Sequence, residues 1–379
     1  MKKFKFRNYI NYTVIAILGI VFTVLTFSSG LDQSTLYMLE KMCISIVLAV
    51  SLSLVVGFLG ELSLGHAGFM CIGAYLGGKF SCIIQQKLGT QAAVSPWCVI
   101  LCLLIGGIVA AVFGLIIGLP ALRLKGDYLA IVTLAFGEIV RSIFMNSGRE
   151  SFGGALGLDT PRYSKDTFFI YGFICVLITL AVVQNMLKSR HGRAITAIRD
   201  SEIAARAMGI DVTKYKLLTF TVSSFFAGIA GVLYSFSNYT IQSTKFSYNY
   251  SIEILVMVVL GGMGSINGSI IAAALITFLN LKLATILTGN LAVLQNLVYA
   301  LILILIVIYN NAPGLKGFRE RHNFKNAWAR LVHAKFNPDK EKGDEGKWER
   351  IPTKIEMDEL LSVDVTEQHT EDGDGKEEQ

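Results

Sequence analysis

The stretch SRHGRAITAIRDSEIAARAMG, residues 189–209, is polar and basic and lies between two long apolar runs. Within it, Asp200 can cap a short helix because its carboxylate accepts hydrogen bonds from free backbone amides. Gly209 can end that helix because glycine tolerates a positive φ. A short capped helix held outside the apolar part of the chain, in a basic loop, predicts a docking surface for another protein in the cytosol.

The rest of the chain has the composition of a membrane protein. Hydrophobic residues make up 53% of the 379 residues, and charged residues only 16%. Many of the apolar runs approach the ~20 residues that a helix needs to cross a hydrocarbon core of ~30 Å. The runs lie at about 11–29, 36–58, 67–84, 97–118, 127–144, 168–187, 217–237, 251–263, 268–288 and 290–309. We therefore expect an all-α polytopic membrane protein with about 8–10 transmembrane helices.

The distribution of basic residues predicts the orientation and the domain organisation. With the N-terminus in the cytosol, the inside loops carry thirteen Lys and Arg residues and the outside loops five. The positive-inside rule therefore favours a cytosolic N-terminus, C-terminus and segment 188–216. The predicted parts are a cytosolic N-terminus (1–10), a transmembrane domain (11–309), a basic juxtamembrane segment (310–337) and an acidic, disordered cytosolic tail (338–379).

The sequence contains no motif for redox chemistry, metal binding, nucleophilic catalysis or nucleotide binding. None of the six cysteines forms a Cys-x-x-Cys pair, and no His, Cys, Asp and Glu cluster has metal-ligand spacing. There is no nucleophile with a paired base and no Gly-x4-Gly-Lys-Ser/Thr nucleotide motif. We expect no enzyme activity, no metal and no cofactor bound by this chain. The basic excess suits anionic membrane lipid, so it does not imply nucleic acid.

Glycines interrupt two of the apolar runs, at VVGFLGELSLGHAG (55–68) and VVLGGMGSING (258–268). Backbone that leaves a helix inside a membrane must be satisfied by protein or water, so such segments are pointers to a substrate route. Close packing of helices through small residues is an alternative that is compatible with the first. The candidate path residues are Glu61, Ser63, His66, Gly261, Gly262, Gly264, Ser265 and Asn267.

A further pair of charges lies inside a predicted span. Glu138 and Arg141 are three residues apart and share one helix face, so they can pair. Charges at this depth are costly when unpaired. The spacing therefore favours a structural ion pair over a substrate clamp.

Six stretches, in order and sensibly spaced, carry a family resemblance. They are GELSLGHAGF (60–69), GLPALRLKGDYLA (118–130), TLAFGEIVR (133–141), GGALGL (153–158), RDSEIAARAMG (199–209) and SIEILVMVVLGGMGS (251–265). Over residues 36–315 the chain resembles branched-chain amino acid ABC-transporter permeases of the LivM type. In such permeases the Glu-x-Ala-Ala-x-x-x-Gly pattern marks a coupling loop that seats into an ATPase subunit. The residues that the resemblance assigns to it here are Arg199, Asp200, Ser201, Glu202, Ala204, Ala205 and Gly209.

The resemblance implies the architecture and partners of an ABC importer. The partners would be a second homologous permease, two cytosolic ATPases that hold ATP and Mg²⁺, and an extracytoplasmic binding protein, all working at a lipid membrane. The chain would form half of the translocation pathway for leucine, isoleucine and valine. The same family extends to importers of urea, amides or sugars. A self-sufficient secondary transporter or channel is a different class, and it has no need of a capped cytosolic helix.

Overall fold

The computed structural model describes residues 32–124, 126–161 and 165–286, together with positions 300, 301 and 304. The predicted span 11–29, nearly all of the span 290–309 and both predicted terminal regions lie outside these residues. Everything that follows concerns the described residues.

The described chain is built of helices. In chain order they are α1 Gln33–Ser53, α2 His66–Leu88, α3 Thr90–Val94, α4 Pro96–Ala121, α5 Asp127–Met145, α6 Arg149–Phe152, α7 Lys165–Lys188, α8 Arg190–Asp200, α9 Glu202–Ala207, α10 Val212–Ser237, α11 Tyr248–Leu260 and α12 Ile266–Ile286. Seven helical stretches in this part are long and apolar enough to cross a membrane, in α1, α2, α4, α5, α7, α10 and α12. The prediction of an all-α polytopic membrane protein is confirmed. The run predicted at 251–263 is the shorter helix α11.

Helix α10 lies at the centre of the bundle and packs against α1, α2 and α4. One close approach joins Gly73 of α2, Gly106 of α4 and Gly228 of α10. A Cβ atom on Gly73 would lie 2.2 Å from Gly228 O, and one on Gly228 would lie 2.6 Å from Gly106 O. Helices in membranes approach this closely only where side chains are absent. The three glycines therefore form a crossing in which backbone touches backbone.

Helix α1 continues through a π-helical turn, Leu54–Leu59, and stops at Gly60, whose φ is +81°. Short π segments inside α-helices are rare and are often found at functional sites. In the run 55–68 the helix therefore breaks as predicted. Gly65 and Gly68 instead allow close packing of helices, which is the alternative prediction for this run. Cβ atoms there would lie 2.6 Å from Thr133 O and 2.7 Å from Gly137 Cα.

The two ends of α10 define the two ends of the bundle. The coupling end contains residues 54–66, 188–216 and 258–268. The ladder end contains residues 145–161 and 235–247, where strand β1 (Leu158–Asp159) pairs antiparallel with strand β2 (Thr240–Ile241). The hydroxyl of Tyr75 donates to Ile241 O at 3.1 Å, and its ring stacks on Phe144 with centroids 4.3 Å apart.

Candidate functional site

Two serines begin the helices of the coupling end. Ser189 Oγ accepts from His191 N at 3.1 Å at the start of α8, and Ser201 Oγ accepts from Ala204 N at 3.3 Å at the start of α9. The prediction that Asp200 is the cap is wrong. Asp200 is the last residue of α8, and the backbone turns extended one residue later, at Ser201. The single predicted helix is therefore two helices joined at Ser201.

Gly209 ends α9 as predicted, with a φ of +79°. Its amide donates to Arg206 O, and the amide of Ile210 donates to Ala205 O, both at 3.0 Å. This pair of bonds is the Schellman arrangement, in which a left-handed residue closes a helix. A Cβ atom on Gly209 would meet nothing within 4 Å. The requirement for glycine therefore comes from the backbone conformation alone.

Apolar side chains fix α8 and α9 against the end of α1. Ile195 and Ile198 of α8, Ala205 of α9 and Val212 of α10 form a buried cluster with Leu59 of the π-helical turn. The cluster is separate from the main core of the bundle. It gives the coupling end an apolar core of its own.

A chain of four charges also ties these elements together. Lys216, only 4% exposed, donates to Glu61 Oε1 and, at 3.1 Å, to Glu202 Oε2. Arg206 Nη2 lies 2.6 Å from Glu202 Oε1. A buried cation is tolerated when it is paired with carboxylates. Removal of one of these charges would therefore leave its partner without an opposite charge. The chain links the loop after α1, helix α9 and helix α10.

Sequence reasoning missed the role of Lys216. The available signal was the helical spacing of Lys216 with Val212 and Ser223, all three of which the structure buries. A lysine on the core-facing side of a helix needs a carboxylate partner. Its partner Glu61 lies far away in sequence, in the set predicted for the substrate path.

Arg199 uses all three of its guanidinium nitrogens. Nε and Nη2 donate to Asp200 Oδ1 at 3.2 and 3.0 Å, and Nη1 donates to Gly57 O at 3.3 Å. The aliphatic part passes over Gly60, where a Cβ atom would lie 2.8 Å from Arg199 Cγ. Arg199 therefore reaches from α8 to the π-helical turn of α1.

The outer side of α9 is apolar and uncovered. Ile203 is 83% exposed and Met208 is 82% exposed, and Ala204 and Ala207 between them are also exposed. Spacings of one, four and five residues place the four on one side of the helix. Glu202, which faces Lys216, lies on the other side. We call these four residues the outer stripe.

The sequence model of one protein family covers most of the chain. The family is described as branched-chain amino acid transport system / permease component, and its model matches residues 34–307. The chain belongs to this family. The match contains all of the helices and strands described above apart from the first residue of α1.

Individual relatives carry more specific names. The chain is 37% identical over 265 residues to the high-affinity branched-chain amino acid transport system permease protein LivM of Salmonella typhimurium, covering 62% of the chain and 60% of that relative. With the LivM protein of Escherichia coli it is 35% identical over 292 residues, which cover 69% of the chain and 65% of the relative.

The chain thus spans less than two thirds of the length of these two relatives. It is also 25% identical over 316 residues to the ribose import permease protein RbsC of Escherichia coli, 79% of the chain and 92% of that protein. No solved structure matches the chain.

The other predicted path residues of this family member occupy two settings. In the first broken segment, Ser63 and His66 are buried, and His66 Nε2 lies 2.8 Å from Ser51 Oγ of α1. In the second, Ser265 and Asn267 are exposed, and Ser265 Oγ accepts from the amide of Gly268 near the start of α12. Their role in a substrate path stays a prediction.

The glycines of the second broken segment form a turn between α11 and α12. Gly262 and Gly264 have positive φ, +91° and +84°. A Cβ atom on Gly261 would lie 2.4 Å from the carbonyl carbon of Gly268. The segment between α11 and α12 is therefore a tight turn closed by backbone contact.

Glu138 and Arg141 are paired, with Arg141 Nε 2.7 Å from Glu138 Oε2. This is the contact that their spacing predicts. The other carboxylate oxygen of Glu138 accepts from the amide of Tyr248 at 2.9 Å, so it caps the start of α11. The second contact ties α5 to α11.

Among the residues that the structure describes, no group of three or more His, Cys, Asp and Glu side chains could hold a metal ion. The six cysteines are free thiols, and five of them are buried.

Proposed function

We propose that the chain is the permease subunit of an ATP-driven importer for branched-chain amino acids. It would form half of the translocation pathway, beside a second homologous permease. An extracytoplasmic binding protein would deliver the substrate, and two cytosolic ATPases would supply the ATP hydrolysis.

The outer stripe is the observation that carries this proposal. It stands on a helix whose opposite side is held by Lys216, Leu59 and their neighbours, so the stripe is presented by a supported element. Exposed apolar residues in a basic surrounding, outside the apolar bundle, are typical of a protein-protein contact. The ATPase is the partner that the family relationship supports for this position.

The cargo is inferred from relatedness and from the chemistry of the candidate path. The LivM relatives are 35–37% identical and the ribose permease 25%. The two broken segments offer Ser63, Ser265, Asn267, glycine backbone and many aliphatic side chains. Such a lining suits an aliphatic amino acid. It suits a sugar poorly, because each hydroxyl that loses water without a new partner costs about 1–3 kcal/mol.

Uptake by a strain that lacks the gene tests the cargo. We expect high-affinity uptake of labelled leucine and isoleucine to be lost and uptake of ribose and urea to be kept. Restoring the gene serves as the control. Unchanged leucine uptake together with lost ribose or urea uptake would assign the chain to another branch of the same family.

Co-purification of the ATPases tests the docking role of the outer stripe. Ile203→Asp places a charge on one of the two large, exposed apolar side chains of the proposed contact, so the ATPases should no longer co-purify with the permease. Leu156→Asp is the matched control, because Leu156 is an exposed leucine at the ladder end. Loss of the ATPases in both variants, or in neither, would argue against the assignment.

Cysteine labelling tests the proposed orientation. We expect Lys165→Cys to react with an impermeant maleimide in intact cells, and Arg193→Cys to react only after permeabilisation. The reason is the excess of basic residues in the predicted cytosolic loops. Labelling of Arg193→Cys in intact cells would contradict the proposed orientation and favour the opposite one.

A further inference from the structure

Arg199 stands where three elements of the coupling end meet. It belongs to the last turn of α8, directly before the joint at Ser201. Its Nη1 atom binds the carbonyl of Gly57 in the π-helical turn of α1. A Cβ atom on Gly264, in the tight turn between α11 and α12, would lie 3.5 Å from Gly57 O and 3.6 Å from Arg199 Nη1. A side chain at position 264 would therefore contact both partners of this hydrogen bond.

The two broken segments are in direct contact at the same point. A Cβ atom on Gly57 would lie 2.6 Å from Gly264 N. With no side chain between them, a shift of one backbone must move the other or open the contact. The Arg199 guanidinium binds one of these two backbones directly, and the other lies against the first.

Asp200 sets the direction of the guanidinium. It accepts from Nε and Nη2, on one edge of the planar group, and so aims Nη1 at Gly57 O. The arginine and aspartate side chains are 40% and 68% exposed, and an ion pair that is this exposed adds little stability. The pair therefore orients the guanidinium and contributes little to the stability of the fold.

We propose that Arg199 is a positioning residue that passes movement of α9 to both glycine-broken segments, with Asp200 as its orienting partner. The proposal rests on the proposed function, since it needs an ATPase acting on the outer stripe. When α9 moves on docking, the joint at Ser201 carries Arg199 with it. Arg199 then pulls on the end of α1 at Gly57 and displaces the turn at Gly264. Lysine cannot replace it, because one ammonium group cannot span Asp200 and Gly57 as the planar fork does.

The test uses the full importer, purified with its ATPases and reconstituted in liposomes with leucine-loaded binding protein. Three quantities are measured: ATPase co-purification, ATP hydrolysis and leucine uptake. In Arg199→Ala we expect co-purification and hydrolysis to stay, and uptake per ATP hydrolysed to fall about ten-fold, within the range of coupling between protein sites. Arg199→Lys should behave like Arg199→Ala.

The control is Arg193→Ala, which removes another exposed arginine of the same helix. It should leave uptake per ATP unchanged. Asp200→Ala should lower uptake per ATP less than Arg199→Ala does, and the double variant should be no worse than Arg199→Ala, because both side chains act on one contact.

Three results would overturn the proposal. They are unchanged uptake per ATP in Arg199→Ala, loss of ATPase co-purification in that variant, and additive losses in the double variant. If Arg199→Ala does not accumulate in the membrane, Asp200→Ala is used as the test instead. Unchanged uptake per ATP hydrolysed in Asp200→Ala would then overturn the proposal. Failure of the proposed function is separate, because the unmodified protein would then neither co-purify with ATPases nor take up leucine.

Discussion

The two ends of the bundle are held together by different kinds of contact. At the ladder end, backbone pairs with backbone in β1 and β2, and Thr160 Oγ1 donates to Ser235 O at 2.9 Å. At the coupling end, the ties are the small apolar cluster around Leu59, the ion pairs of Lys216, the hydrogen bonds of the Arg199 guanidinium and the contact of Gly57 with Gly264. Backbone ladders have one geometry, whereas ion pairs can separate and re-form. The comparison indicates that the side-chain contacts of the coupling end are the more easily rearranged of the two.

Breaking the charge chain should have the largest effect. Lys216→Met leaves Glu61 and Glu202 without their shared cation, which costs on the order of 3 kcal/mol. We expect a lower midpoint of thermal unfolding in detergent and loss of ATPase co-purification. Lys214→Met is the matched control, because the Lys214 side chain is exposed. Equal stability of the two variants would mean that the charge chain does not hold the coupling end.

Changing the backbone at the end of α9 should have the next largest effect. Gly209→Val forces a β-branched residue to a φ of +79°, at a cost of about 1–3 kcal/mol. We expect folded, inserted protein with weak ATPase association or with hydrolysis that no longer responds to substrate. Gly209→Asn should be milder, because asparagine tolerates this conformation. Normal substrate-stimulated hydrolysis in Gly209→Val would contradict the role of this helix.

A change at the ladder end should separate stability from coupling. Tyr75→Phe removes a buried donor to Ile241 O, at a cost of about 1 kcal/mol. We expect a modestly lower unfolding midpoint and unchanged leucine uptake per ATP hydrolysed. A fall in that ratio would show that the ladder end also takes part in coupling.

Removing residues 340–379 should have the smallest effect. This stretch is polar and mostly acidic and lacks the apolar content to build a core. We expect normal insertion and leucine uptake. Lost uptake at an equal protein level would show that the tail acts on the ATPases.

The apolar runs predicted the described helices well, because helix length and hydropathy in a membrane are set locally. Local spacing also predicted the Glu138–Arg141 contact and the turn at Gly209. Asp200 and Ser201 are both good cap residues, so composition could not decide between them. The observed choice follows from α8 continuing through Asp200, where the carboxylate meets Arg199.

The contacts that define the coupling end could not be read from the sequence. Glu61 meets Lys216, and Gly57 meets Arg199 and Gly264, only after distant parts of the chain have packed together. A buried lysine needs a carboxylate partner, but the sequence does not show which carboxylate lies next to it in the fold. The glycine runs marked the right segments without revealing that they touch.

The crossing of Gly73, Gly106 and Gly228 has a mechanical consequence. Because backbone touches backbone there, a tilt of α10 within the bundle would turn about this crossing. Lys216 lies roughly 18 Å along α10 from Gly228, at ~1.5 Å per residue. A tilt of about 10° about this fulcrum would swing the coupling end by roughly 3 Å, comparable to the length of a hydrogen bond. Helix α10 would act as a lever, in which a small rotation at the pivot decides whether the charges at its tip stay paired.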